Sequence, residues 1–255
     1  MKLIALQSGS SGNCAYVEAD GVRLLFDAGI SGSKAERRLA GHGREIRDVD
    51  ALVISHDHSD HTSGMGVFQR KFGLPIHITK PTLATTQARH AVGKLNDVRH
   101  YSAGSSLRFG TVTVETIPTP HDGVDGVGFV VDDGRHRLGI LTDLGHVFAG
   151  LDAVIETLDA LLIESNYDET MLAESFYPAT LKKRIRGDGG HLSNAEAAEL
   201  IDSSMGSRLQ WVCLGHLSAE NNTPEEALRE HQERLSSRVS LFLAGRDAAT
   251  DVLEL

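Results

Sequence analysis

Short apolar runs closed by glycine, aspartate or polar clusters alternate along the chain with amphipathic stretches, which predicts strands and helices in turn. Lys2 to Leu6 reads as a buried strand running into the polar turn Ser8-Gly9-Ser10-Ser11-Gly12-Asn13, where glycine permits strained backbone. Ala15 to Glu18 and Val22 to Phe26 flank Asp20-Gly21, a two-residue hairpin signal, and the second of these strands ends on Asp27. Ser33 with Glu36 gives a capping-box pattern for a helix to about Leu39. Ala51 to Ile54 is a further buried strand, Met65 to Phe72 a helix, Pro75 to Ile78 a strand and Thr82 to Val92 a helix. From Leu107 the character changes: Leu107 to Phe109, Thr111 to Ile117, Val127 to Val131 and Arg137 to Leu141 are strands broken by Gly110 and Asp133-Gly134, an antiparallel stretch. Alternation then resumes. Strands Ala160 to Glu164, Leu209 to Leu214 and Val239 to Leu243 are interleaved with helices Pro178 to Ile185, Asn194 to Ser203 and one from Pro224 capped by Thr223 with Glu226. Two runs of strands, each with its helices, predict an α/β fold: two sheets face to face, helices outside, and strand-end loops along one edge.

Composition supports a full core. With 255 residues and 40% hydrophobic content, one domain spanning 1–255 is the expectation. Met1 to Leu6 meets a polar Gly/Ser turn almost at once, so no export signal is expected, and the apolar runs are too short to span a bilayer. Cys14 and Cys213 cannot make a disulfide framework and read as small buried groups, so a reducing cytoplasm and no disulfide-linked partner are expected. The balance of 25 Lys+Arg against 35 Asp+Glu gives −10, which excludes binding of nucleic acid by diffuse attraction. A polyanion has to be met locally, by metal ions or by the cluster Lys182, Lys183, Arg184 and Arg186. That cluster is either a solvated face or a phosphate track.

The candidate chemistry begins at His56-Asp57-His58-Ser59-Asp60-His61, directly after an apolar strand. A loop leaving a rigid strand end lets side chains converge on an ion without strain. Imidazole and carboxylate donors suit Zn²⁺, Mn²⁺ or Fe, and the thiolates of a closed structural zinc site are missing, so an open catalytic site is the better reading. His121, Asp143 and His216 also follow strands and can complete two metal sites. A carboxylate such as Asp143 suits a bridging position, and two ions about 3.5–4 Å apart can hold a hydroxide between them.

HDHSDH after ALVIS, a later histidine, the TDLG aspartate and the LGH histidine together resemble the metallo-β-lactamase superfamily. SGSSGNC, LLFDAG, IESNYD, GDGGHLSN and LGHLSAENN narrow the resemblance to the YycJ/WalJ-like branch of DNA exonuclease-like relatives of ribonuclease Z. The resemblance implies an αββα sandwich. It also implies one metal on His56, His58 and His121, a second on Asp60, His61 and His216, and Asp143 bridging. Asp27 is expected to support the histidine loop, and Asp57 to point away from the metals into a hydrogen bond within the loop.

The same resemblance pairs Glu164 with His191 at the leaving group, where an imidazole held by a carboxylate can protonate a departing oxygen. His191, Glu164 and Asp60 are thus the candidate catalytic side chains. Ser10, Ser11 and Asn13 can offer a small nest to a terminal phosphate or form a plain turn; Asn222 can contact substrate or orient His216. His42, His77, His90, His100, His136, His146 and His231 fall outside every motif. The expected reaction is two-metal phosphodiester hydrolysis, and among the substrates the resemblance implies, DNA attacked from a 5′ end is the expectation. A small-molecule hydrolase acting on a phosphodiester, lactone, thioester or lactam is the alternative, and a non-catalytic metal-bearing binding module is a further one.

Overall fold

The computed structural model describes residues 1–235 and 238–255. The first half of the chain supplies strands β1 (Lys2–Gln7), β2 (Cys14–Ala19), β3 (Val22–Phe26), β4 (Ala51–Val53), β5 (Ile76–Thr79) and β6 (Val98–Tyr101), with helices α1 (Gly32–Gly41), α2 (Ser59–Thr62), α3 (Met65–Phe72) and α4 (Lys80–Arg89). The second supplies β7 (Ser106–Phe109), β8 (Val112–Pro118), β9 (Val127–Asp132), β10 (Arg137–Leu141), β11 (Ala160–Glu164), β12 (Trp211–Gly215) and β13 (Ser240–Leu243). Its helices are α5 (Leu151–Glu156), α6 (Glu169–Glu174), α7 (Ala179–Arg186), α8 (Asn194–Ser204) and α9 (Pro224–Leu235), and β14 (Leu253–Glu254) returns to pair with β1.

The strands form two seven-stranded sheets, β14-β1-β2-β3-β4-β5-β6 from the first half with β14 added, and β13-β12-β11-β10-β9-β8-β7 from the second. Both sheets are built alike. Pairing is antiparallel from β14 to β3 and from β7 to β10, then parallel from β3 to β6 and from β10 to β13. The turn between β2 and β3 is Asp20-Gly21, both at positive φ (44° and 80°), as a hairpin matched to the twist of its strands requires.

Period-two alternation sorts the strand residues into layers. Leu3, Ala5, Val17 and Phe26 of one sheet meet Val114, Phe129, Leu138 and Leu162 of the other in a central cluster, with the Phe26 and Phe129 rings 4.9 Å apart. Ile4, Leu6, Leu25 and Leu52 face the opposite way, onto Ala35, Leu39, Phe68 and Phe72 of α1 and α3. Leu141, Leu161, Ile163 and Val212 pack likewise on α5, α8 and α9. The result is a four-layer αββα sandwich. Burial of each large apolar side chain contributes about 1.5–3 kcal/mol.

Several local expectations change. The N-cap of α1 is Ser31, whose side chain accepts from Lys34 N–H, because the helix starts at Gly32 and Ser33 lies inside it. Helix α4 runs Lys80–Arg89 rather than Thr82–Val92: Thr79 caps it, Pro81 sits in its first turn, and His90 is already extended. The short α2, α5 and α6 and the edge strands β6 and β14 were not anticipated.

Candidate active site

The candidate residues gather where β1, β3, β4, β8, β10, β11 and β12 all point their C-terminal ends. Three of them stand just past a strand in the left-handed region, Asp27 at φ 64°, Asp143 at 57° and His216 at 53°. Such backbone costs roughly 1–3 kcal/mol per residue and persists where packing over-determines it. Gly29 and Gly145 make the crowding feasible: a Cβ on Gly29 would strike the carbonyl of Asp60, and one on Gly145 would meet Asp188 O and His121 N. The glycines of the LLFDAG and TDLG stretches therefore serve close backbone approach.

The ligand atoms of His56, His58 and His121 lie within 4.8 Å of one another, as do those of Asp60, His61 and His216. In the first trio His56 Nε2 is 3.0 Å and His121 Nε2 3.3 Å from His58 Nδ1. In the second, Asp60 Oδ2 is 3.5 Å from His61 Nε2 and 3.7 Å from His216 Nε2. Asp143 lies between them, with Oδ2 3.2 Å from His61 Nε2 and Oδ1 3.5 and 3.6 Å from Nε2 of His216 and His121.

This donor set fits divalent ions. Asp143 Oδ2 and His216 Nε2 are buried with no hydrogen-bond partner among the described residues. Leaving such groups unpaired costs about 1–3 kcal/mol each. The opposite ring nitrogens are taken: His56 Nδ1 lies 2.9 Å from Ser55 Oγ, His61 Nδ1 2.8 Å from Asp27 Oδ2 and His121 Nδ1 2.8 Å from Gly190 O. That leaves Nε2 of each ring for the centre.

Charge divides the trios. Burial, then neighbouring imidazoles, holds His56 and His58 below the usual histidine range. Burial would also lower His61 and His216, but Asp143 with Asp27 and Asp60 outweighs it for His61, and Asp143 with Asp60 pushes His216 up to about 9. Asp143 is held well below the carboxylate range: the imidazoles of His216 and His61 overcome its burial. Without an ion, protons occupy the second trio.

Asp27 meets its expectation: Oδ1 accepts from Ser55 N–H at 2.8 Å while Oδ2 orients His61. Asp57 turns away from the trios as expected, but its partners lie outside the loop. Oδ1 accepts from Val124 N–H at 2.6 Å and Oδ2 pairs with Arg89. Glu164, fully buried, accepts from Leu144 N–H at 2.8 Å and holds His191 Nδ1 at 3.0 Å. His191 then leads into α8, capped by a Ser193/Glu196 capping box.

The expected substrate contacts separate. Asn13 is buried and spends its amide on Gly9, Asp60 and His61, the last at 2.9 Å. The backbone N–H groups of Ser8, Gly9, Gly12 and Asn13 are engaged internally, so the Ser8–Asn13 segment is a braced turn, with Ser10 and Ser11 exposed on it. Asn222 is 2% exposed and donates to Ser165 O, Asn166 O and Asn194 Oδ1 instead of facing the cavity. The basic cluster does not form one track: Lys182 caps Ala173 O, Arg186 pairs with Glu169, Lys183 is exposed, and Arg184 alone lines the cavity.

The cavity itself holds about 340 Å³, inside the range of roughly 300–1,000 Å³ typical of small-ligand sites, and His58, Asp60, His121, Asp143, His191 and His216 line it. Arg89 and His90 line it too, although no motif pointed to either. Asp122, with Oδ1 3.3 Å from His58 Nε2, was also missed; its position next to His121 was the available signal.

The family model described as Beta-lactamase superfamily domain matches residues 22–212. The chain belongs to the metallo-β-lactamase superfamily. Within it, the chain is 38% identical over 230 residues to exodeoxyribonuclease WalJ of Streptococcus pneumoniae, covering 89% of this chain and 85% of that protein. It is 34% identical over 224 residues to exodeoxyribonuclease YycJ of Bacillus anthracis, covering 87% and 84%. The metallo-β-lactamase fold protein YhfI of Bacillus subtilis superimposes with a TM-score of 0.73 over 98% of both chains at 17% identity, a likeness of fold alone. The superfamily and the His/Asp clusters together indicate divalent metal binding. Both cysteines are free and buried, and no helix among the described residues is long and apolar enough to cross a membrane.

Proposed function

We propose that the chain is a two-metal-dependent phosphodiesterase acting on DNA, an exonuclease working from a 5′ end, with residues 1–255 as one catalytic domain in the cytoplasm. The observation that carries the reaction type is the His191–Glu164 pair, 3.0 Å apart and 3.8 Å from Asp143 across His191 Nδ1. A thioester hydrolase expels a thiolate that needs no proton, whereas a phosphodiesterase must stabilise a poor alkoxide leaving group, which a carboxylate-held imidazole beside the ions can do. The kinship with WalJ and YycJ supports DNA as the polymer.

His56, His58 and His121 would hold one ion and Asp60, His61 and His216 the other, with Asp143 shared; Zn²⁺ or Mn²⁺ suits this nitrogen-rich set, and Fe is compatible. When bound, the ions supply Lewis acidity and a water of lowered pKa. The chain's own groups do the rest. Asp27, Ser55 and Asn13 fix the His61 ring, Ser55 also holds the His56 ring, and Asn13 holds the Asp60 carboxylate, so the centre is pre-organised. Glu164, itself held by Leu144 and Leu192 N–H groups, engages His191 Nδ1 and leaves Nε2 to face the cavity. With Nδ1 held by Glu164, His191 is oriented to give a proton or a hydrogen bond from Nε2 to the oxygen leaving phosphorus.

The deciding experiment presents Zn²⁺- or Mn²⁺-loaded protein with end-labelled DNA, bis-p-nitrophenyl phosphate and nitrocefin. Release of mononucleotides from DNA is expected. Turnover confined to nitrocefin would overturn the reading.

A further inference from the structure

Two arginines at the cavity rim are held in the same way, each by a carboxylate adjacent in sequence to a candidate metal ligand. Arg89, the last residue of α4, pairs through Nη1 with Oδ2 of Asp57, which is buried between His56 and His58. Arg184, on α7, donates from Nε to Oδ2 of Asp122 at 2.7 Å, and Asp122 follows His121. The first comes from the half of the chain that builds one sheet and the second from the other half, yet both line one cavity.

Their use of donors is incomplete. A guanidinium carries five N–H donors in a planar fork. Arg89 commits only Nη1 and Arg184 only Nε, and the remaining donors have no acceptor among the described residues. The side chains stay 52% and 60% exposed although the carboxylate of Asp57 is fully buried. Neutralising Asp57 explains where Arg89 starts but not why its fork stands open, since a solvent-facing ion pair contributes only about 0–1 kcal/mol. A protein of net charge −10 gains from fixed cations at the mouth of a cavity floored by Asp60 and Asp143 only if an anion must enter there. Guanidinium forks match phosphate oxygens two at a time.

We propose that Arg89 and Arg184 form a two-sided clamp on the DNA phosphates flanking the scissile one, held in register with the ions by Asp57 and Asp122. The clamp rests on the phosphodiesterase reading above. Arg89 and Arg184 act as positioning residues: they fix the strand, and His191 and the metal ligands act on the bond.

The test is steady-state kinetics of metal-loaded wild type, Arg89→Gln, Arg89→Lys and Arg184→Gln on labelled DNA and on bis-p-nitrophenyl phosphate, which has one phosphorus and no flanking phosphate. Metal content is measured on every sample. Each Gln variant is expected to raise KM for DNA about tenfold with kcat changed less than threefold, and to flatten the dependence of log KM on log salt by about one unit. The ratio of kcat/KM on DNA to that on bis-p-nitrophenyl phosphate should fall by the same factor, with partial recovery in Arg89→Lys. If both substrates lose activity in step, or metal content falls with the salt slope unchanged, the arginines are only braces for the ligand loops and the clamp is wrong. Wild-type protein that cleaves bis-p-nitrophenyl phosphate but not DNA would overturn the DNA reading, and the clamp with it, before any variant is made.

Discussion

The two ligand trios share one cavity and differ in almost every physical respect. His56, His58 and His121 have no carboxylate among the three, and although Asp122 lies 3.3 Å from His58, burial and mutual repulsion still hold His56 and His58 below the usual histidine range. Asp60, His61 and His216 sit among Asp27, Asp143 and Glu164, and their imidazoles are pushed toward the charged form. The negative field that attracts one proton attracts a dication more strongly, so the carboxylate-rich trio should be the tighter metal site, while His56 and His58 need lose no proton to take an ion at neutral pH. Each trio has one ligand at the cavity surface, His58 and Asp60, both 22% exposed, and its other two histidines are buried.

The largest test of this division removes what joins the trios. Asp143→Asn should abolish turnover on every phosphodiester and lower bound metal at both positions, measured by elemental analysis after dialysis. Loss from one trio alone would show that the two are not coupled through Asp143. Next in size, His191→Ala should lower kcat on DNA by about 10²–10⁴-fold. Its effect on bis-p-nitrophenyl phosphate should be much smaller, because p-nitrophenolate departs without a proton. Glu164→Gln should follow the same pattern. Equal losses on both substrates would assign the pair to support of the metal centre.

The same division decides what was legible in the sequence. The first half of the chain brings four candidate ligands within six residues after one strand, so His56, His58, Asp60 and His61 stand out as a spacing. In the second half His121, Asp143, Glu164, His191 and His216 stand singly at the ends of different segments: position after a strand nominates His121, Asp143 and His216, and the resemblance of the flanking stretches adds Glu164 and His191 and assigns the ligands to each ion. Strands built on runs of leucine and isoleucine, such as Arg137–Leu141 and Ala160–Glu164, were readable to the residue. Polar edge strand Val98–Tyr101 and the two-residue Leu253–Glu254 were not, since pairing with a neighbour rather than their own pattern defines them. Arg89 was illegible for a related reason: its partner Asp57 lies 32 positions earlier, and nothing local marks the pair. Asn13 and Asn222 had the polarity of substrate contacts but are buried, where an amide must be fully hydrogen-bonded and is spent on the scaffold.

A smaller effect should follow from Asp27→Asn, which keeps the shape beside His61 but removes a charge. Groups that orient a metal-bound histidine typically contribute about 10–100-fold in affinity. The loss should fall on the carboxylate-rich trio, so a chelator titration should show one ion leaving earlier while the other is retained. Earlier loss of both would contradict the separate support that Asp27 gives to His61.

The smallest expected effect is on stability against pH, and its sign separates the trios. In metal-free protein His216 titrates at about 9 because Asp143 and Asp60 outweigh its burial, whereas in the unfolded chain a histidine titrates near ~6.5. A pKa raised by folding stabilises the protein fully below pH ~6.5, and that contribution disappears as pH rises through about 9. His61, raised by the same carboxylates, acts in the same direction. The melting temperature of chelator-treated protein should therefore fall between pH ~6.5 and 9. Metal-loaded protein should move the other way or stay level, since protons compete less for its ligands as pH rises. His56 and His58, held low, contribute nothing to the fall over that interval. His216→Asn should flatten the curve of the metal-free protein and His58→Asn should leave its slope in place; the reverse would mean that the charge asymmetry lies in the other trio.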